Sequence, residues 1–243
     1  MMNMHKPIKK LNFKDLIVKD HPDYVVVNKP PHLSSLDDRV ESTTLLSLAK
    51  GENENYQLCH RLDKETSGII VIAKNPEAYR HFAIQLEKRE VKKVYHAVVN
   101  GLHKFENFEA QEPIYTTSNK SRIDFKTGKP SFTLVSTMEV LKKHSLIKCF
   151  PVTGRMHQIR VHLAFHQAPL VNDPLYGGEA AFLSQLKRNF NHTKWEEEKP
   201  MIERVALHSF EIAFKDLEGK VVEAEAPYPK DFSVLIKLLR KFN

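Results

Sequence analysis

No stretch of this chain approaches the ~20 consecutive apolar residues that a membrane-spanning helix needs. Its N-terminus, MMNMHKPIKKLNFKD, lacks the apolar core of a secretory signal. A cytoplasmic protein that does not associate with membranes is therefore expected. Cysteine is nearly absent: Cys59 and Cys149 are the only two among 243 residues. Free thiols in a reducing compartment are expected rather than a disulfide. No cysteine pair has zinc spacing. His157, His162 and His166 lack the glutamate of an HExxH site, so no metal site is indicated. Thr127-Gly128-Lys129 lacks the first glycine of a phosphate-binding loop, and no G-x-S-x-G nucleophile elbow occurs. Internal repeats and low-complexity segments are also missing.

Hydrophobic residues make up 41% of the chain and charged residues 28%, ordinary for a soluble globular protein. The length suffices to bury a core without disulfides or metals. The net charge of +7 favours a polyanionic partner such as nucleic acid. One dense basic patch runs from Lys88 to Lys93. A second cluster, Lys237, Arg240 and Lys241, reads as a solvated face.

Residues 24–28 read as a short buried strand stopped by Lys29-Pro30-Pro31, and residues 43–50 as a short helix. Residues 68–74 form a β-branched run expected to be covered on both faces. A helix follows, with Asn75 as N-cap and Pro76 at its first position, and Tyr79, Phe82 and Leu86 as its apolar stripe. Further strands are expected over 93–100, 113–116, 132–140 and 145–150, and residues 102–130 otherwise read as polar and turn-rich. A helix over 157–166, a hairpin joining 206–214 to 221–226, and a helix over 231–241 complete the reading. In that last helix Phe232, Leu235, Ile236 and Leu239 have core-facing spacing. Strands with interspersed helices and no βαβ rhythm argue for an α+β fold with a mainly antiparallel sheet.

The chemistry-bearing stretch is HRLDKETSGIIVIAK, residues 60–74. It places Asp63 between Arg61 and a Thr66-Ser67-Gly68 turn at the mouth of a buried strand. A carboxylate there would be partly desolvated and would need a cationic partner. Arg160, amid Ile159, Val161, Leu163 and Ala164, is one candidate. It reads equally as a surface arginine whose stem lies along its helix. Arg155, beside Gly154 ahead of that helix, would suit an RNA phosphate. Tyr95, preceded by Lys92 and Lys93, is a core strand residue or an aromatic face near positive charge, on which a base could stack.

Three ordered segments resemble the core motifs of the RluA-type RNA pseudouridine synthases. They are His60-Arg61-Leu62-Asp63 with Thr66-Ser67-Gly68; Lys93-Val94-Tyr95 with Gly101; and Thr153-Gly154-Arg155 with His157 through Leu163, followed by Asp173-Pro174-Leu175-Tyr176-Gly177. Asn28-Lys29-Pro30 and Leu207-His208-Ser209 are also similar to the family, and the likeness spans about residues 20–232. It implies the pseudouridine-synthase catalytic fold, a long mixed, mainly antiparallel sheet with flanking helices and a central RNA-binding cleft. It further implies a catalytic Asp63, a Tyr95 that stacks on uracil, an Arg160 paired with Asp63, and a Leu163 that packs the pocket. Arg61 would enter the RNA where the uridine has flipped out, with His60, Lys93 and Arg155 as further RNA contacts. No cofactor is implied, and the partner is a structured RNA, a ribosomal or transfer RNA stem-loop, met by a monomer.

Residues 1–19 are expected to be an N-terminal extension, too short for an S4-type RNA-binding domain. Residues 20–243 would form one catalytic domain with a charged insertion near 178–204, including Trp195-Glu196-Glu197-Glu198. Met156 and Asn172 depart from the family pattern. Two other functions remain: a non-catalytic RNA-binding or assembly factor on the same fold, and a carboxylate hydrolase using Glu65 as a second acid.

Overall fold

Period-two alternation of apolar side chains becomes strand structure in this protein, whose computed structural model describes residues 11–36, 43–187, 190 and 197–243. In chain order the first half comprises β1 (Ile17–Asp20), β2 (Tyr24–Lys29), α1 (Leu45–Glu52), β3 (Gln57–Leu58), β4 (Ser67–Ala73), α2 (Pro76–Glu87), β5 (Lys92–Asn100) and β6 (Phe108–Ala110). The second comprises β7 (Ile114–Thr116), β8 (Ser121–Ile123), β9 (Thr133–Val140), β10 (His144–Pro151), α3 (Gln158–Phe165), β11 (Leu207–Lys215), β12 (Val221–Glu225) and α4 (Lys230–Lys241). The main sheet runs β1-β2-β4-β11-β5-β10-β9-β6, with β3 added to β4 and β12 to β11, while β7 and β8 form a separate hairpin. This is the expected α+β fold with a long mixed sheet. Among the described residues all its strand pairings are antiparallel except one: β4 and β11 meet in parallel, Ser67 opposite His208 and Gly68 opposite Ser209.

Successive residues of β2 and β4 face opposite sides. Val25, Val27, Ile70 and Ile72 join Tyr95, Ala97, Ile159 and Leu163 in one core. Tyr24, Val26, Ile69 and Val71 join Phe82, Ile212 and Phe214 in another. β4 is buried at every residue, as its β-branched run implied. α4 buries Phe232, Leu235, Ile236 and Leu239 against Val98 and Leu146. Asn75 caps α2 by accepting from the Ala78 amide, with Pro76 at the first position. Phe82 is buried and Leu86 packs half-buried against the same core, as expected, but Tyr79 is 39% exposed and Ala78 and Gln85 are buried beside them. In the first turn, docking against β4 and β11 puts Ala78 rather than Tyr79 towards the core.

β6 and β8 lie in the stretch read as turns, because three-residue strands carry too little alternation to detect. Ile17–Asp20 pairs with β2, and Phe13 and Leu16 are buried in the core. The described part of the expected extension thus packs onto the sheet. Within the expected insertion Ala181, Leu186 and Ile202 pack with α4. Trp195 and Glu196 lie outside the described residues. Both cysteines are free thiols. Among the described residues no helix is long and apolar enough to cross a membrane.

The parallel seam positions the turn that carries Asp63, and each carbonyl of that turn has a donor. Ser35 Oγ donates to Leu62 O at 2.7 Å, and the Thr66 amide to Asp63 O at 3.0 Å. Lys64 O accepts from the His32 amide at 2.9 Å and from Lys29 Nζ at 3.1 Å. Arg204 Nη1 donates to Glu65 O at 2.9 Å. Both long cations are buried. Lys29 also donates to Pro30 O and Leu33 O. Arg204 binds Asp231 through Nε at 2.6 Å and Nη2 at 3.2 Å, and Nη2 also reaches Ser67 Oγ at 3.1 Å.

Gly68 has φ +113°, and a Cβ there would lie 2.0 Å from Ser209 O across the seam. Gly68→Ala is expected to cost more than the ~1–3 kcal/mol of backbone strain alone. Gly219→Ala, at φ +80° in open space, should cost only the strain; urea denaturation of both variants measures the difference. Burial, with the Arg204 charge, pulls the Lys29 ammonium down from 10.5 to about 7, against the opposing pull of Asp63. The unfolded chain then binds the extra proton between these values, so this group makes folding stability rise with pH from about 7 to about 10. Denaturation across that range should show the rise in the wild type and its loss in Lys29→Met.

Candidate active site

Asp63 stands at the junction of two cavities. One, of about 610 Å³, is lined by Arg61, Lys93, Tyr95, Arg155 and Ile159 among others. The second, about 430 Å³, is lined by His157, Arg160, Asn172 and Asp173. The carboxylate is 28% exposed, so it is held by protein yet open to a ligand. Its Oδ2 lies 3.5 Å from Arg160 Nη1 and 3.6 Å from His157 Nε2.

Arg160 is where the geometry departs from the expected one-to-one pair. Its primary partner is Asp173, fully buried, which accepts from Arg160 Nε at 2.8 Å and Nη2 at 2.7 Å. That bidentate fork uses one edge of the guanidinium and turns Nη1 towards Asp63. The Arg160 guanidinium also lies 5.0 Å from the Tyr176 ring centroid. Burial alone would lower the arginine's pKa, but the hydrogen bonds and charge of Asp173, with Asp63 and Tyr176, raise it. Arg160 is therefore a permanent cation anchored behind Asp63, not a surface arginine.

Tyr95 on β5 lines the larger cavity, its hydroxyl bonded to Ser209 and its pKa pushed up to about 12 by burial. It is a neutral phenol whose backbone is fixed between Cys149 and Ser209 on the neighbouring strands. Leu163 is buried in the same core as Tyr95 but does not line the cavity; Ile159, one turn earlier on α3, does. Arg61 is exposed on the cavity rim. Lys93, half-buried, lines it too, and burial lowers its ammonium pKa.

Arg155 sits in a loop folded back by Gln158. The Gln158 Oε1 accepts from the Arg155 amide at 3.0 Å and from Thr153 Oγ1 at 2.6 Å. Its Nε2 donates to Phe132 O and to Thr133 Oγ1, both at 2.9 Å. Among the described residues the Arg155 side chain reaches only Pro130 O, at 3.4 Å, and its buried Nε has no partner. His60 is differently employed. Its Nε2 accepts from the Val71 amide at 3.1 Å, its ring stacks on Phe82, and burial lowers its pKa to about 3. It is a neutral brace for the turn rather than a cation offered to phosphate.

Four contributors were not singled out as site residues from the sequence. Asp173, Tyr176 and His157 lay within recognised motifs but without roles, and Arg204 carried no local signal. His157 adopts φ 55°, left-handed for a non-glycine residue, at a cost of about 1–2 kcal/mol. The helix therefore begins at Gln158, one residue later than the spacing suggested.

Residues 23–165 match the family described as RNA pseudouridylate synthase. The ribosomal large subunit pseudouridine synthase D of Neisseria meningitidis serogroup A is 37% identical over 234 residues, covering 92% of this chain and 61% of the relative. The protein of the same name from serogroup B is matched over 48% of its length, so the chain spans about half to three fifths of these relatives. The Haemophilus ducreyi protein of that name is 31% identical over 92% of this chain and 70% of its own. Among solved structures, human RNA pseudouridylate synthase domain containing 4 superposes with a TM-score of 0.70 at 22% identity, covering 94% of this chain and 95% of its own. Human RNA pseudouridylate synthase domain containing 1 gives 0.67 at 25% identity, covering 96% and 98%. The matched segment carries Asp63 in the turn before β4, Tyr95 on β5 and Arg160 on α3, and the chain belongs to the RNA pseudouridylate synthase family, of the RluA type.

Proposed function

We propose that this protein is an isomerase that converts a uridine in structured RNA to pseudouridine, with Asp63 as the catalytic carboxylate. The observation that carries this reading is the placement of Asp63. It is a partly exposed carboxylate, backed on one oxygen by an anchored arginine and open to a cavity whose wall is the Tyr95 ring. Ribosomal RNA is the favoured substrate, because the curated relatives are named as ribosomal large subunit enzymes. The protein acts as a cytoplasmic monomer.

The reaction breaks the N1–C1′ bond, turns the uracil, and joins C5 to C1′. The proton from C5 is released and N1 gains one, so the change is redox-neutral. The uridine must first leave the helical stack, at a cost of a few kcal/mol. Arg61 on the rim fills the vacated position. Stacking on Tyr95, worth ~1–3 kcal/mol, holds the extruded base. Asp63 then acts on the ribose, as nucleophile at C1′ or as base at the 2′ position. Both roles need a carboxylate held still, which Arg160 and the clamped turn provide. Lys93 and Arg155 meet the RNA backbone along the cavity.

The non-catalytic alternative gives no role to an aspartate wedged between two cavities. The hydrolase alternative would require a second acid beside Asp63, whereas the Glu65 side chain is exposed.

Tritium release from C5-labelled uridine in RNA lacking the modification should be seen with the wild type, be abolished in Asp63→Asn, and be nearly unchanged in Glu65→Gln. Release by Asp63→Asn would remove Asp63 from its role, and a large loss in Glu65→Gln would favour the hydrolase. RNA affinity should fall steeply with salt, and Arg155→Ala should reduce the slope of log K against log[salt] by about one. Filter binding at several salt concentrations checks this; a flat response would place the RNA on another face.

A further inference from the structure

The two donors near Asp63 address the same oxygen. Arg160 Nη1 and His157 Nε2 both approach Oδ2, and among the described residues no donor is placed on Oδ1. Resting on the isomerase reading, we propose that His157 is a second positioning residue for Asp63, with its tautomer set by Tyr176, so that Oδ1 is the oxygen presented to the ribose.

A chain of hydrogen bonds supports this. The Ser121 amide donates to Tyr176 Oη at 3.0 Å. That phenol oxygen is then an acceptor whose own proton is free to point elsewhere, and His157 Nδ1 lies 2.8 Å away. A phenol donating to Nδ1 requires that nitrogen to be unprotonated. The neutral imidazole must then carry its proton on Nε2, the nitrogen that faces Asp63. The separation of 3.6 Å from Oδ2 is longer than a formed hydrogen bond, as is common before substrate closes a site.

The surroundings fix each link. Ser121 Oγ donates to Met156 O at 2.7 Å, tying the β7–β8 hairpin to the residue before His157. Tyr176 packs edge-on against the His157 ring and face-on to Arg160. The left-handed backbone of His157 is the conformation in which its ring contacts both Tyr176 and Asp63, and its side chain is not used as a helix cap. A strained backbone at a site, kept by surrounding contacts, is the pattern expected where placement matters more than local stability.

The charged and titratable groups facing the ring are Asp63 and Arg61 from the turn, Arg160 from α3, and Asp173 and Tyr176 from the segment after it. Burial, with Arg160 and Arg61, outweighs the two aspartates and lowers the imidazole pKa, which keeps the ring neutral. His157 orients Asp63 and does not itself transfer a proton.

The test reads the tautomer and the kinetics separately. In protein labelled with ¹⁵N in histidine and free of RNA, long-range ¹H–¹⁵N spectra should show His157 protonated on Nε2, with its signals assigned by their loss in His157→Gln. In Tyr176→Phe, which keeps the ring and removes the hydroxyl, the tautomers should become mixed. In tritium-release assays, His157→Ala and Tyr176→Phe should each lower kcat about ten- to a hundredfold with KM unchanged. His157→Gln, which retains an N–H donor, should recover part of that loss. A wild-type Nδ1–H tautomer would overturn the proposal, as would kcat within about twofold of wild type in Tyr176→Phe. The spectra need no turnover, so failure of the isomerase reading would appear as an inactive wild type while the tautomer result stood by itself.

Discussion

Two buried basic side chains hold the Asp63 turn, and much of the architecture serves to bury them. Lys29 ends β2 and donates into the turn from one side, while Arg204 precedes β11 and donates from the other. A buried cation is stable only when its donors are satisfied. Arg204 meets that demand with the Asp231 carboxylate from the first turn of α4 and with main-chain oxygens of Glu65, Val205 and Leu207. Satisfying the guanidinium therefore ties α4, the entry to β11 and the Asp63 turn into one unit. The parallel pairing of β4 with β11 completes it, and only a glycine at position 68 lets the two backbones come that close.

The charges at the site follow the same economy. A simple Asp63–Arg160 pair would leave the carboxylate fully engaged and poorly placed to react. The fold instead gives Arg160 to Asp173 in a bidentate fork and lets Asp63 take the remaining nitrogen at a longer distance. Asp173, without solvent exposure, fixes the arginine, and the arginine limits where Asp63 can go. Asp63 thus receives positive charge from a rigid source while keeping access to the cavity.

Local rules made several elements legible. Asn75-Pro76 marks the start of α2 because a capping side chain and a ring-fixed φ act within one turn. The run in β4 reads as a two-faced strand because every residue is β-branched, small or apolar. The spacing of α4 predicts its buried face. Where the rules weaken, the reading does too. The stripe of α2 held at Phe82 and Leu86 and failed at Tyr79, since periodicity gives an angular face and docking chooses which edge of it is buried. β6 and β8 were lost among turn residues because their pairing with β9 and β7 exists only in three dimensions.

The sequence by itself determined the α+β class, the family, and the aspartate at the mouth of a buried strand, since each depends on residues near one another in the chain. Only the tertiary structure decided what surrounds that aspartate. Arg160 had two readings until Asp173, thirteen residues on, was seen to hold it. Arg204 had none until it reached Glu65 across 139 residues. His157 and Tyr176 had no role until the fold joined them in a hydrogen-bond chain with the Ser121 amide, 55 residues from the tyrosine. Periodicity and motif spacing describe a residue's own segment. A hydrogen bond between segments depends on distance and direction in space, and those exist only once the sheet has brought the segments together.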